Sequence, residues 1–476
     1  MSLSTSTTWE VRTAGSDANG SGFANLVPGT SVDYTQQPAA QFSPTDLACS
    51  NSTTLTSATG GFTAAMQGSV IQITTGTNFT PGFYQVTAYT DPNTVTIDRN
   101  PTTGVAASLG VGNLGGALAS PVKACGAMTS GNTLYIQQGT YLVTAPLTLT
   151  TTSALNKPTQ VIGYKTVRGD GDATYDYSNV PIIQAVAGFP TTGNAGAAGV
   201  VSIPNPFAGV RNLILDGNGI APKSISGSGS FGVDNCKFSG FTWRGCEMIS
   251  GGKVSRCLAT GGTATATAAF FSASSGNNST VYFGCTATAN PCVGFSVDNS
   301  GTVLINCLSF GNTTTAGHGL YQTSGSYGVS AYGCVFQGNG GDGIRLEGVG
   351  FSAGGGTLRN CILSGNAGYG INSLTTHASA DTDFNAFFNN TAGARRGFNA
   401  GLRDVMLTAD PYVGAGAGNL ALNNRNPGGS QLRAAGSPGP FPGSGTVGSL
   451  DIGAAQHADS ALAGGGISKS RLIGGM

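Results

Sequence analysis

"INCLSFGN" (305–312), "YGCVFQGNGGDGI" (332–344) and "LRNCILSGNAGYGI" (358–371) are one phrase written three times. Each sets a Cys at the head of a short apolar run and a Gly-Asn pair four residues later, at Gly311-Asn312, Gly338-Asn339 and Gly365-Asn366. A Gly followed by an apolar residue then closes the unit, at Gly294-Phe295, Gly319-Leu320, Gly343-Ile344 and Gly370-Ile371. Outward from these, Cys236, Cys257, Cys285, Cys307, Cys334 and Cys361 are separated by 21, 28, 22, 27 and 27 residues. "VRNLILDGNG" (210–219) and "DFNAFFNN" (383–390) extend the phrase, with Leu213 and Ala386 at the Cys position. A position that accepts Cys, Leu or Ala asks for a small to medium apolar side chain, so sulfur chemistry is not what it selects.

A period of 21 to 28 residues, with strands of three to six residues between Gly and Asn turns, predicts a solenoid of stacked β-coils. Equivalent residues of adjacent coils then lie about 4.8 Å apart. Gly and Asn belong at the corners because tight corners need positive φ, and stacked Asn side chains can bond from coil to coil. Stacked cysteines point in parallel, which disfavours disulfides. Zinc would need ligands converging on a point, and a catalytic thiol would want a neighbouring His; the chain has three. A buried column of reduced thiols is the reading that fits, with Cys49, Cys125, Cys246 and Cys292 off the column and also reduced.

Charged residues make up 9% of the 476, against roughly 25% in an average soluble protein, while Gly contributes 77. Lys plus Arg equals Asp plus Glu at 21 each, and neither sign forms a run. This excludes a basic stripe for nucleic acid and a polybasic membrane patch. No apolar stretch of about 18 residues occurs, and "MSLSTSTTWEVRT" lacks the pattern of a secretory leader. A soluble chain made in the cytosol is expected.

"NTLYIQQGTYLV" (132–143), "LTADPYVGAGAGNLALNNRNPGGSQLRAAGSPG" (407–439) with "LDIGAAQ" (450–456), and "WEVRTAGSDANGSGFA" (9–24) resemble the first rung, the closing segment and the N-terminal strand and turn of the right-handed parallel β-helix repeat proteins. The resemblance implies an all-β, single-stranded right-handed β-helix of about eleven coils over 132–412. The preceding region divides into an N-terminal strand and turn (1–45), a small inserted β-module (46–112) with a "DPN" hairpin turn, and a cap helix region (113–131). In the helix, "ASPVKACGAM" (119–128), Pro121 stands at N1 after Ser120, with Val122, Cys125 and Met128 on one face. A closing segment (413–460) and a tail (461–476) follow.

Aligning the coils on Gly294, Gly319, Gly343 and Gly370 brings Val293, His318, Asp342 and Tyr369 into register, with Arg345 and Glu347 outward on the next strand. A sugar-cleaving enzyme needs two carboxylates, or a base and a cation, beside an aromatic surface. Asp342, Glu347 and His318 are the catalytic candidates, and Tyr369, Arg345 and Asp342 the carbohydrate-binding ones; a solvated corner explains the same residues. "VRGDGDATYDY" (167–177) offers Asp170, Asp172 and Asp176 to a cation, but lacks the distant bidentate acid of a calcium loop, so a surface loop fits better. The "RGD" triplet inside it carries little weight. No metal or cofactor is expected.

Two function classes stay open. The first is a non-catalytic structural protein of a bacteriophage particle, a capsid decoration or spike, made in the host cytoplasm. The resemblance implies a homotrimer, with a major capsid protein among its partners and neither nucleic acid nor membrane. The second is a tailspike-like protein that binds a surface glycan or degrades polysaccharide, by hydrolysis or by lyase chemistry. An exported cell-surface protein is a weaker third.

Overall fold

The computed structural model describes residues 3–24, 34–150, 154, 156–172, 177–191, 198–229, 231–273, 279–298, 301–323, 328–347, 356–374, 381–437 and 450–454. The chain folds into two compact units, residues 1–221 with 225–237, and residues 222–224 with 238–476.

In the first unit, six strands (Leu47–Cys49, Thr54–Ser57, Val70–Thr77, Gly82–Asp91, Thr94–Ile97 and Ala107–Leu114) close into a barrel. Alternation of apolar and polar residues drives it: Leu47, Leu55, Ile71, Ile73, Val86, Val95 and Leu114 are all fully buried inside. Asp91 and Asn93 form its hairpin turn, with Asp91 Oδ1 accepting the Asn93 N–H (2.8 Å). The α-helix Pro121–Ala127 follows. Ser120 caps it through the Lys123 N–H, and Asp17 Oδ1 accepts the N–H groups of Ala119 and Ser120 (3.1 and 2.8 Å). Its buried residues are Pro121, Ala124, Cys125 and Ala127. Val122 lies partly exposed, so the buried face is rotated from the one the apolar spacing indicates. Strand Thr8–Val11 then pairs in parallel with Thr133–Gln137, the first rung of the solenoid.

Each coil contributes one strand to each of three parallel sheets, and the second sheet holds eleven strands and the third ten. The coil that runs from Thr159–Tyr164 through Ile182–Ala185 to Gly199–Ile203 spends about twice the usual length on its connections.

In the second unit the inward columns run Val254, Tyr282, Leu304, Ala331 and Leu358 in the first sheet, and Phe270, Phe295, Leu320, Ile344 and Ile371 in the third. The next residue in the third column is Arg395, whose guanidinium lies 4.5 Å over the Phe387 ring and pairs with Asp404 (2.7 Å). A salt-bridged cation thus ends the apolar column.

Between the strands, Asn290, Asn312, Asn339, Asn366 and Asn390 form a column in which each side-chain amide donates to the next Oδ1, at 3.3, 2.8, 3.0 and 2.8 Å. All ten cysteines are free and buried. The register shifts one expectation by a residue: the Ala386 N–H donates to the Cys361 carbonyl, so Asn385, not Ala386, continues the cysteine column.

The C-terminal segment folds back over the outward side of the second sheet. Leu407, Tyr412, Leu420, Leu422, Leu432 and Ile452 pack on Val335, Ile362 and Ala386. The "DIGA" phrase is the clasp: Asp451 Oδ1 accepts the Ala434 N–H (2.9 Å), and the Gly453 N–H donates to Asn360 O (2.8 Å). Among the described residues no helix is long and apolar enough to cross a membrane.

Candidate functional site

The glycine row is real, but its cause is close approach rather than positive φ. A Cβ at Gly319 would lie 2.4 Å from Gly343 O, one at Gly343 2.7 Å from Gly370 O, and one at Gly370 2.6 Å from Ala394 O. The backbone of the next coil passes directly beneath. The N–H groups of Gly294, Gly319 and Gly343 donate to the carbonyls of His318, Asp342 and Tyr369, so those three residues do stack in register with Val293.

His318 and Asp342 are both buried, at 7% and 4% exposure. His318 Nδ1 accepts the Asp342 N–H (2.8 Å), and its ring lies against Gly341, where a Cβ would come within 2.5 Å of Nδ1. Burial holds the imidazole below its usual pKa, against the pull of Asp342. Asp342 spends both oxygens on the coil below: Oδ1 accepts the Tyr369 N–H (2.7 Å) and Oδ2 the Asn372 amide (2.9 Å). Gly368 makes room for that carboxylate.

Outward on the same sheet, Tyr321, Arg345 and Asn372 are register partners. Glu347 Oε1 accepts from Arg345 Nε (2.9 Å) and Nη2 (2.8 Å), and Oε2 accepts from the Tyr321 hydroxyl (2.7 Å). Burial alone would raise the Glu347 carboxyl, but these donors hold it below the ordinary range. The Tyr321 phenol is pushed up to about 12 by burial and by Glu347. Its ring stacks on His318 at 5.6 Å. Tyr369 and Arg345 are partly exposed beside this group.

All five sequence candidates therefore gather in one place, in the second unit. Their chemistry is less open than their composition. A general acid must be protonated near neutral pH and a general base must have a free lone pair. Glu347 is held ionised, the form of a base rather than of an acid, and each oxygen of both carboxylates already accepts a donor from the protein.

A second cluster on this sheet escapes the glycine alignment. Glu247, at 1% exposure, pairs with Lys223 and with Arg244. The Arg244 guanidinium lies between the rings of Trp243 (3.7 Å) and Phe271 (3.2 Å). Burial lowers the Arg244 pKa, opposed by Glu247. The signal was present: a Cβ at Gly245 would lie 2.5 Å from Ala269 O, so Gly245 belongs to the same glycine row, and Glu247 shares a column with Phe271, Ser296, Tyr321 and Arg345.

In the first unit, Asp170 caps a turn, accepting the N–H groups of Lys165, Thr166 and Val167 (2.6–2.8 Å). Burial raises its carboxyl, but these bonds together outweigh it and hold the group low. The Asp172 side chain and Asp176 lie outside the described residues. Arg168 of the "RGD" triplet is 5% exposed and committed to Glu10 (2.6 Å). Among the described residues no group of three or more His, Cys, Asp or Glu converges to hold an ion.

Residues 218–387 match the family described as the right handed beta helix region. Among solved structures, the chain is similar to pectate lyase Pel9A, with 14% identity, a TM-score of 0.50, and coverage of 72% of this chain and 92% of that one. It also matches ORF18 of Geobacillus virus E2 (14% identity, TM-score 0.40, 60% of this chain and 57% of that one) and a rhamnogalacturonan lyase (13%, 0.40, 61% and 83%). At these identities the likeness is one of fold. No curated protein matches in sequence.

Proposed function

We propose that the chain is a non-catalytic structural protein of a bacteriophage particle, a capsid decoration or spike in which the β-helix serves as a stiff rod. The observation that carries this reading is the commitment of Asp342 and Glu347 to the coil stack: four carboxylate oxygens, each with a donor from the protein itself. The low charge, the asparagine column and the clasped C-terminal segment support a rod built for persistence. The six-stranded barrel supplies a separate surface for attachment to another particle protein, such as a major capsid protein, and a homotrimer is the assembly expected. The test is whether the chain cosediments with virus particles released from the cells that make it. Recovery in the particle fraction at a fixed ratio to the capsid protein supports the reading, and recovery only in the soluble fraction ends it.

One observation favours a second reading, glycan binding without cleavage. Asn372 Oδ1 is buried and has no donor among the described residues, on the column that links Arg345 to Arg396. Rotation of this amide toward the partly exposed Tyr369 would offer it to a sugar hydroxyl. Loss of glycan-array binding in Tyr369→Ala and Arg345→Ala would support this reading, and unchanged binding would remove it.

A further inference from the structure

Cys257, Cys285, Cys307, Cys334 and Cys361 form one column. The N–H groups of Thr286, Leu308, Val335, Ile362 and Ala386 donate in turn to the five cysteine carbonyls, at 2.8–2.9 Å, so each cysteine sits over its predecessor. All five are free thiols at 0 or 1% exposure. Each sulfur donates to a backbone carbonyl, such as Cys285 to Val254 O at 3.4 Å, Cys307 to Tyr282 O at 3.5 Å and Cys361 to Ala331 O at 3.5 Å. Asn385, fully buried, closes the column.

Stacked Cβ atoms about 4.8 Å apart and parallel cannot close a disulfide, whose S–S bond is about 2.05 Å. They suit a different bond. Two thiolate–metal bonds of about 2.3 Å laid end to end span about 4.6 Å, which is the coil repeat. An ion held this way needs two ligands, so the lack of a three-ligand group does not bear on it. Thiolates select soft ions such as Cu(I). Charge narrows the choice further, because an uncompensated charge in this core would be costly. When a monovalent ion replaces the proton between two sulfurs, one S–H bond breaks, H⁺ leaves to water, and the ion is bound both by the thiolate so formed and by a lone pair of the neighbouring sulfur. Nothing is oxidised or reduced, and the column stays neutral. A divalent ion displacing that one proton would leave a net positive charge.

We propose that this column is a linear binding site for soft monovalent ions, Cu(I) or Ag(I), each bridging the sulfurs of adjacent coils. Within the second unit, five thiols in line leave four gaps between them, and the column predicts an unusual stoichiometry. Removing a central thiol destroys two gaps, removing a terminal one destroys one, and removing a cysteine elsewhere destroys none.

The experiment is an anaerobic titration of the full chain with Ag(I), read by native mass spectrometry and by sulfur-to-metal absorption, before and after unfolding in urea. Relative to the unmodified chain, native Cys307→Ala is expected to bind two ions fewer, Cys361→Ala one fewer and Cys125→Ala the same number. Cys307→Val, which fills the volume, serves if the alanine variant fails to fold, with the same loss of two. A loss of one ion in every variant would mean that silver counts thiols singly, and uptake only after unfolding would mean that the column is closed to metal. Either result overturns the proposal.

Discussion

Asp342 ties its coil to the next through both carboxylate oxygens. Replacing it with Ala strands the Tyr369 N–H and the Asn372 amide in the interior, and each orphaned buried group costs about 1–3 kcal/mol. Denaturant titration should show Asp342→Ala destabilised on that scale. Glu347→Ala, at a carboxylate 25% exposed, should lose less than about 1 kcal/mol. The pH response follows from His318. Its folded pKa lies below the ordinary value of 6.5, so the folded protein holds fewer protons than the unfolded chain as pH falls through that value. Stability is therefore full above about 6.5 and declines on acidification. Glu347, held below its ordinary 4.5, adds a further loss below that value. Thermal midpoints should fall between pH 7.5 and 5.0, and His318→Gln should flatten the slope; an unchanged slope in that variant would locate the titration elsewhere.

At the scale of the coil, two kinds of glycine have separate jobs. Gly311, Gly338 and Gly365 adopt φ near +60°, and Gly311 has open space where a Cβ would stand. Gly319 has ordinary φ but the next coil's carbonyl 2.4 Å from that position. Gly311→Ala should cost about 1–2 kcal/mol, the penalty of a left-handed residue with a side chain, whereas Gly319→Ala must move backbone and should cost more. Equal losses would mean that the corner relaxes. The spacing of glycines in the sequence shows where the corners fall, but not which glycine yields to conformation and which to contact, because the second depends on the neighbouring coil. The closing segment teaches the same lesson. Its phrases mark where the solenoid ends, yet its packing on Val335 and Ile362 is visible only in three dimensions. Ile452→Ala, at a fully buried position in that cluster, should cost about 2–5 kcal/mol and loosen the segment to proteolysis before the coils themselves.

Across the whole chain, a repeated signal made the solenoid legible, since each Cys, Asn and Gly recurs at a position that many coils share. The barrel is a single occurrence, readable as alternating strands but not as a closed ring. Register brought His318, Asp342, Tyr369, Arg345 and Glu347 together on paper and in space. Their occupancy was hidden, because hydrogen-bond partners such as Asn372 and Tyr321 come from other coils. Lys223, Arg244 and Glu247 were missed because Gly245 lies ahead of the first glycine used for alignment. The central claim, a structural rather than catalytic third sheet, is tested most directly by product release from a panel of acidic and neutral polysaccharides, comparing the unmodified chain with Glu347→Gln. Equal, background-level release from both is the predicted result. Depolymerisation by the unmodified chain that Glu347→Gln abolishes, with the fold intact, would contradict it.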